Sequence, residues 1–232
     1  MPAMRVFLAD LRGLVERAPI DEESVIERIE DLVETCGGGS LALEARDEPG
    51  DTALHMVCLT GLDRAAARLL DLGASPNVRN GMGHTPLWEA ISAHAPECAR
   101  LLLSRGAAIT SEYDGAGALS AIHWAALWNA TGIFKDLVRH GANVNSRDDK
   151  GRTPLHCVVA SAVMSGEADI AAANELLRLG ADPDLPDNEG ARPRDCAHGA
   201  LRGLLESIEA ERQMQKAVFR AKDQERTAGV GL

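Results

Sequence analysis

Three histidines, His55, His123 and His156, occupy one position of a phrase that repeats along the chain. An imidazole can ligate a metal ion or transfer a proton near neutral pH, so these residues are the first candidates for chemistry. A zinc site needs three or four ligands at characteristic short spacings, and no His, Cys or carboxylate set in the sequence has them. The regular recurrence favours a structural role, and we expect no metal and no cofactor.

The five cysteines are the next candidates for chemistry. They are widely spaced and include no CxxC pair: Cys36, Cys58, Cys98, Cys157 and Cys196. A disulfide framework or a metal site would require a closer and more regular spacing. The set is typical of free thiols in a reducing compartment, and we expect all five to be reduced and buried.

Acidic residues are concentrated in residues 182–189, which read DPDLPDNE. A calcium loop that began at Asp182 would need a glycine at its sixth position and a glutamate at its twelfth, where the sequence has Asp187 and Pro193. The chain also contains no nucleophile elbow, Walker loop or dinucleotide fingerprint. The sequence therefore predicts a solvated acidic turn at this position and favours a protein that is not an enzyme.

The charge and hydropathy of the chain exclude further classes of function. The formal net charge is −11, whereas nucleic-acid binding needs a basic stripe and an anionic membrane repels such a chain. Asp10 and Arg12 interrupt the short apolar run near the N-terminus, so we predict no secretory signal. No apolar stretch approaches the roughly 20 residues that span a bilayer. We expect a cytoplasmic protein that binds neither nucleic acid nor membrane.

The repeated phrase indicates the elements that position these residues. It begins at residues 50, 83, 118 and 151, at steps of 33, 35 and 33, and reads GDTALH, GHTPLW, ALSAIH and GRTPLH. A Gly-Ala pair recurs in the same register, starting at residues 73, 106, 141 and 180. Such periods are the signature of stacked helix pairs, each of which buries its apolar face only against its neighbours.

Each part of the phrase has a local structural meaning. A hydroxyl stands where it can cap the start of a helix, in Thr52, Thr85, Ser120 and Thr153. Pro86 and Pro154 follow at the first helical position, where a missing N–H costs nothing. The glycine of each Gly-Ala pair suits the left-handed turn that ends a second helix. With 45% hydrophobic but 3% aromatic residues, the core must be built from Leu, Ala, Val and Ile.

The phrase resembles the T-P-L-H-x-A signature of the ankyrin repeat, whose period is 33 residues. The resemblance covers roughly residues 47–197 and implies an all-α solenoid of helix–turn–helix units. Four repeats are predicted at 47–80, 81–113, 114–147 and 148–187, between degenerate N-terminal capping helices in 1–46 and a C-terminal capping repeat in 188–210, followed by a charged helical tail in 211–232. The resemblance also implies that the recurrent histidines hydrogen-bond to nearby turns.

The two ends of the array are predicted to be helical as well. Amphipathic helices are expected at 5–17 and 22–36, where an acid-rich face of the second keeps an exposed end soluble. The charged segment from about 200 to 226 is expected to dock on the last repeat through its apolar residues. These are Leu204, Leu205, Ile208, Met214, Val218 and Phe219.

The chain departs from the ankyrin pattern in three places. The third repeat lacks the proline, with Ala121 in its place, and has two extra residues in the preceding turn. The fourth carries six extra residues around 161–169, which we expect to enlarge the loop between its helices. The second has Trp88 instead of the phrase-ending histidine, and His94 where a glycine is usual.

Ankyrin proteins generally bind partners on a concave face formed by the turn tips and the first helices. Carried over by position, the resemblance assigns partner-binding residues to that face: Arg79, Met82, His84, Glu112, Tyr113, Leu127, Trp128, Arg147, Lys150 and Arg152. Trp88, Trp124 and Phe134 are expected to be core residues. Trp128 occupies a groove-facing position four residues after Trp124, and large aromatic side chains dominate binding hot spots.

The resemblance therefore predicts a protein–protein interaction module, monomeric when free, that serves as an adaptor or as an inhibitor of its partner. Two alternatives stay open at this point. The Ala-, Arg-, Leu- and Gly-rich composition suits a high-GC bacterium, and small bacterial ankyrin proteins include immunity proteins that neutralise toxins and effectors directed at hosts. An enzyme is the other alternative.

Overall fold

Stacked helix pairs form the described part of the chain. The structure, a computed structural model, describes residues 2–15, 21–35, 43–110, 119–165 and 170–228. Within these ranges the regular secondary structure is entirely helical, which confirms the predicted all-α fold. In the same part of the chain, none of the helices combines the length and the apolar character needed to cross a membrane.

The helices follow one another in pairs along the chain. They are α1 (Pro2–Val15), α2 (Glu22–Thr35), α3 (Ala53–Leu59), α4 (Asp63–Asp71), α5 (Pro86–Ser92), α6 (Pro96–Ser104), α7 (Ala121–Leu127), α8 (Phe134–Arg139, after a 3₁₀ turn at Thr131–Ile133), α9 (Pro154–Ser165), α10 (Ile170–Arg178), α11 (Pro193–Cys196) and α12 (Gly199–Ala228). The first helices of the pairs, α1, α3, α5, α7, α9 and α11, pack side by side in one row. The second helices α2, α4 and α6 pack side by side in another row. The residue boundaries of repeats and caps stay predictions.

The predicted residues at the starts and ends of these helices are confirmed. Thr52, Thr85 and Ser120 are the N-caps of α3, α5 and α7, and Pro86 and Pro154 open α5 and α9. The glycines of the four Gly-Ala pairs have φ between +82° and +99°, the left-handed region that a glycine enters without steric cost. The ends of these helices are therefore determined by residues that lie next to them in the sequence.

The insertion in the fourth repeat is partly helical. We expected the extra residues around 161–169 to enlarge a loop, but α9 runs to Ser165 and has 12 residues, whereas α3, α5 and α7 have 7 each. The loop expectation is wrong for residues 161–165, because the apolar stretch after His156 continues the helix. Residues 166–169, and the lengthened turn at 111–118, lie outside the described residues.

The acid-rich face of α2 does more than keep an exposed end soluble. Glu22 Oε1 accepts hydrogen bonds from the backbone N–H groups of Arg64 and Ala65 at 2.9 and 3.1 Å, at the start of α4. Glu23 and Glu30 form ion pairs with arginines of α4, both at 2.8 Å. Since no side chain of α4 itself caps its N-terminus, the carboxylate of Glu22 satisfies donors that would otherwise be unpaired.

The first part of α12 docks on the end of the array. Leu201 and Leu205 are 1% and 0% exposed, and Arg212 pairs with Asp182 at 3.0 Å. Arg194 of α11 contacts both Asp184 and Glu209. The docking prediction is confirmed for this part of the helix.

Two apolar side chains of α12 beyond residue 212 do not dock. Met214 is 71% exposed and Val218 is 47% exposed, so the expectation was wrong for these two residues. The side chain of Phe219 lies outside the described part of the structure. The helix therefore continues past the last residues that the repeats can cover.

The cysteines differ in accessibility. Cys58, Cys98 and Cys157 are buried free thiols, as expected, and burial raises the pKa of Cys157 to about 12. Cys196 is free but exposed, so the prediction of burial is wrong there, because the end of the short α11 faces solvent. Cys36 lies outside the described residues.

This difference predicts a selective labelling pattern. In the native protein we expect a maleimide to modify Cys196 within minutes, while Cys58, Cys98 and Cys157 react only after unfolding, because the thiolate is the reactive form and burial disfavours it. Peptide mass spectrometry after timed labelling measures this. Rapid native labelling of Cys157 would contradict the packing described, and a disulfide in denatured unreduced protein would contradict the prediction of free thiols.

Candidate partner-binding surface

Four turns of identical construction form the tips of the repeats. Each begins with Asp or Asn and ends three residues later with a glycine at positive φ, so the tips are 47–50, 80–83, 148–151 and 187–190. In the second tip, Asn80 Oδ1 accepts from the N–H groups of Met82 and His84 at 3.0 and 2.9 Å. Asp148 and Asp187 accept the same two bonds in their tips. The sequence placed Asp187 in a predicted acidic turn, but the hydrogen-bonding role of these leading residues was not predicted, although an Asp or Asn three positions before the glycine signals it.

Neighbouring tips lie close enough to hydrogen-bond. The N–H of Gly81 donates to the carbonyl of Pro49 at 3.2 Å, and the N–H of Asn188 donates to the carbonyl of Lys150 at 2.9 Å. A Cβ at Gly81 would lie 2.2 Å from the oxygen of Pro49, so only glycine permits this approach. The tips and the first helices α3, α5, α7 and α9 together form one side of the array, which we call the groove face.

The recurrent histidines connect each repeat to the next tip. The backbone N–H of Thr52 donates to His55 Nδ1 at 3.2 Å, so the ring proton is on Nε2, which donates to the carbonyl of His84 at 3.0 Å. His123 contacts the carbonyls of Ser146 and Arg152 in the same way, each at 3.1 Å.

His156 repeats this arrangement with the carbonyl of Ala191, at 3.1 Å. Burial lowers the pKa of His55, His123 and His156, which keeps all three rings neutral at pH 7. Their structural role is thus confirmed. Among the described residues, no group of three His, Cys, Asp or Glu is arranged to hold a metal ion.

Four rings form a continuous aromatic cluster on the groove face: His84, Trp88, Trp124 and Trp128. His84 stacks on Trp88 with ring centroids 3.5 Å apart, and Trp124 stacks on Trp128 at 5.1 Å. Trp88 meets Trp128 edge-on at 4.7 Å and Trp124 at 5.9 Å, so the cluster joins the second and third repeats. Phe134 is fully buried as expected. Trp124 is partly buried and packs against the core as well as in this cluster, whereas Trp88 is partly buried within the cluster.

Comparisons with known proteins agree with this architecture. The family description "Ankyrin repeats (3 copies)" matches residues 26–113, "Ankyrin repeats (many copies)" matches 122–168, and "Ankyrin repeat" matches 150–188. The chain belongs to the ankyrin-repeat family. Ankyrin repeats generally mediate protein–protein interactions and are generally not catalytic.

Several curated proteins are similar to this chain over part of their length. It is 35% identical to neurogenic locus notch homolog protein 1 of Mus musculus over 149 residues, which is 63% of this chain and 6% of that protein. It is 34% identical to notch homolog protein 2 of Homo sapiens over 188 residues, 79% of this chain and 7% of that protein. It is 32% identical to the E3 ubiquitin-protein ligase KEG of Arabidopsis thaliana, over 53% of this chain and 8% of the ligase. The chain thus spans less than a tenth of the length of these relatives.

The predicted contact residues of this ankyrin-repeat protein lie in three places on the groove face. Arg79, Met82 and His84 lie in or beside the second tip, Leu127 and Trp128 at the end of α7, and Arg147, Lys150 and Arg152 in or beside the tip at 148–151. Glu112 and Tyr113 lie outside the described residues. The structure therefore brings eight of the ten predicted residues onto the side of the array formed by tips and first helices.

Two of the predicted arginines stabilise their own tips. Arg152 pairs with the carboxylate of Asp148 at 2.7 Å, and the side chain of Asp148 is 1% exposed. Despite burial, the hydrogen bonds and charge of Arg152 lower the pKa of Asp148. Arg79 Nη1 donates to the carbonyl of Gly83 at 3.0 Å. Arg147 and Lys150 are exposed and leave their charges at the surface of the tip at 148–151.

Two exposed apolar side chains mark the groove face. Met82, at the second tip, is 65% exposed, and Leu59, at the end of α3, is 48% exposed. Sequence reasoning included Met82 but missed Leu59, although Leu59 and Leu127 occupy the same position of the repeat, 68 residues apart by numbering. Register within the repeat was the signal that could have found it.

A small cleft opens between the second and third repeats. It has a volume of about 110 Å³ and lies between the loops that follow α5 and α7. Its lining is mostly apolar and includes Ala90, Ile91, Pro96, Ala130 and Ile133, with His94 at positive φ. The cleft has room for a small apolar side chain.

Proposed function

We propose that this ankyrin-repeat protein binds one partner protein through the groove face of the second to fourth repeats, as an adaptor or as an inhibitor of that partner. The observation that carries the proposal is the aromatic cluster with exposed Met82 beside it. A partly buried group of rings presents a large, rigid apolar area, and ordering such side chains on binding costs little entropy. The exposed charges of Arg147 and Lys150 supply a polar rim.

The remaining properties of the molecule fit this use. The net charge of −11 opposes binding to nucleic acid and to anionic lipid, and we propose a cytoplasmic protein that is monomeric when free. Free thiols support a reducing compartment. Glu112 and Tyr113, at the turn between the second and third repeats, belong to the proposed contact set by their position in the repeat.

The proposal predicts that Trp128→Ala weakens partner binding by about 30-fold or more, equivalent to about 2 kcal/mol, the range of a hot spot. Affinity purification with quantitative mass spectrometry identifies the partner, and titration calorimetry then measures its affinity for each variant. Urea unfolding of the same variant gives its stability. Unchanged affinity together with lost stability would show that Trp128 serves packing alone.

A matched pair of methionines provides the control. Met82 and Met214 are similarly exposed, at 65% and 71%, but only Met82 lies on the groove face. We expect Met82→Ala to weaken binding and Met214→Ala to leave it unchanged, with neither affecting stability. The reverse result would place the binding surface on α12. Assay of the partner's own activity in the complex distinguishes an inhibitor, which abolishes that activity, from an adaptor.

A further inference from the structure

The groove face contains a buried carboxylate without a cationic partner. Glu89 of α5 is 7% exposed, and Oε1 accepts one hydrogen bond, from Asn80 Nδ2 at 3.1 Å. His84 Nδ1 lies 3.6 Å from the same oxygen, but burial lowers the pKa of His84, so this ring is neutral. Among the described residues, no Lys or Arg forms an ion pair with Glu89.

The neighbouring carboxylates differ from Glu89 in this respect. Asp47 and Asp51, in and beside the first tip, both pair with Arg12 of α1. Asn80 Nδ2 also donates to Asp51 Oδ1 at 2.7 Å, so this one amide group bridges Asp51 and Glu89. Asp51 and Asp47 therefore share the charge of Arg12, whereas Glu89 has no ion pair with a Lys or Arg among the described residues. A buried charge is unfavourable unless a proton or a cation compensates it.

One aromatic ring, that of His84, lies beside this carboxylate, and a second ring stacks on it. His84 stacks on Trp88, which immediately precedes Glu89 on α5. The side chains of His84 and Glu89 are 21% and 9% exposed, so an edge of the site is open to solvent. A carboxylate next to aromatic rings binds a cationic side chain through an ion pair and a cation–π contact.

We propose that Glu89, with the rings of His84 and Trp88, receives a Lys or Arg side chain of the partner protein. The inference rests on the proposed function, because it specifies the chemistry of the partner at the same face. Charge complementarity is what commits the site to a cation: the rings alone would accept any apolar group, whereas Glu89 favours only a positively charged one. Trp88 occupies the position where the other repeats have a histidine that hydrogen-bonds to the neighbouring tip. The Trp88 ring does not form this connection.

Protons and the partner's cation compete for the same carboxylate. Burial, with a smaller contribution from Asp51, raises the pKa of Glu89 to about 7. The titratable groups on the elements packed around it include Asp47, Asp51, His55, Cys58, His84, Glu97, Cys98 and His123. Burial lowers the pKa of the three histidines and raises that of Cys58, which moves their titrations away from the pKa of Glu89 near 7. Cation binding should therefore strengthen as pH rises through 7.

The test uses small probes, so it does not require the natural partner. N-acetyl-arginine amide and N-acetyl-lysine amide are titrated into the full chain while the three indole N–H resonances are followed by NMR, with N-acetyl-norleucine amide as the uncharged probe. We expect the cationic probes to shift the Trp88 indole resonance saturably, with an affinity that rises about tenfold from pH 6 to pH 8. Norleucine should bind at least tenfold more weakly.

Two substitutions make the result specific. Glu89→Gln keeps the shape and the acceptor for Asn80 but removes the charge, so it should weaken cation binding at pH 8 at least tenfold and abolish the pH dependence. Glu97→Gln removes the same charge from an exposed position on α6 and should change neither. Equal binding of arginine and norleucine, equal binding by the Glu89→Gln variant, or no saturable shift at pH 8 would each overturn the inference.

These outcomes are separate from the test of the proposed function. If cationic probes fail but a partner protein still depends on Trp128, the groove face binds protein without a cation at Glu89. If the probes bind but Trp128→Ala and Met82→Ala leave all protein capture unchanged, the cation site exists and the proposed function fails.

Discussion

Deleting residues 200–232 is expected to lower the free energy of unfolding by about 4 kcal/mol or more. The deletion removes Leu201 and Leu205, which are almost completely buried, and each buried leucine contributes about 2–5 kcal/mol when it is lost. It also removes the ion pairs of Glu209 and Arg212 and exposes the last helix pair to water. A stack of repeats needs a polar cap at its end, because an uncapped unit presents an apolar face to solvent.

A shorter deletion supplies the matched control. Removing residues 213–232 leaves Leu201, Leu205 and Arg212 in place and takes away the exposed Met214 and Val218. We expect urea unfolding, followed by circular dichroism at 222 nm, to show no change in midpoint for this variant. If both deletions leave the midpoint unchanged, α12 does not seal the array. If both lower it equally, the stabilising contacts lie in the distal half of the helix.

Glu89→Gln is expected to stabilise the protein at pH 8 by about 2–3 kcal/mol. The pKa of Glu89 rises from an ordinary value of 4.5 to about 7 in the folded protein, so the folded state binds a proton more tightly than the unfolded state. That difference contributes stability below pH 4.5, which is lost as pH rises through 7. A shift of this size corresponds to roughly 3 kcal/mol, and glutamine removes the cost while keeping the acceptor for Asn80.

The sign of this effect can be checked across pH. Urea unfolding at pH 5, 6, 7 and 8 should show a stability gain for Glu89→Gln that grows with pH, whereas Glu97→Gln should follow the original chain throughout. A variant that is less stable than the original at pH 8 would contradict the raised pKa. Glu89→Gln is thus expected to raise stability while it weakens binding of the cationic probes. Substitution of a residue that serves packing alone would not change these two properties in opposite directions.

The sequence by itself determined the fold and its register. The phrase that ends in His55, His123 and His156 fixed the helix starts and the role of the histidines, because caps, turns and hydrogen bonds to adjacent tips depend on short stretches of chain that recur at a constant period. The same period carried eight of the ten predicted contact residues onto the groove face. Only residues 111–118 leave that part of the prediction without a described structure.

The tertiary structure decided the burial and the contacts between repeats, which the repeat period does not specify. Trp88 and Trp124 looked like core residues within their own repeats, yet they join Trp128 in one cluster because rings from two repeats fill the space between them. Glu89 gave no signal in the sequence, since a glutamate on a helix is normally solvated. Its burial follows from the placement of Asn80 and the neighbouring tip around it. A repeat pattern specifies where each side chain lies in its own unit, whereas burial, pKa and contact depend on which side chains of the adjacent units lie opposite.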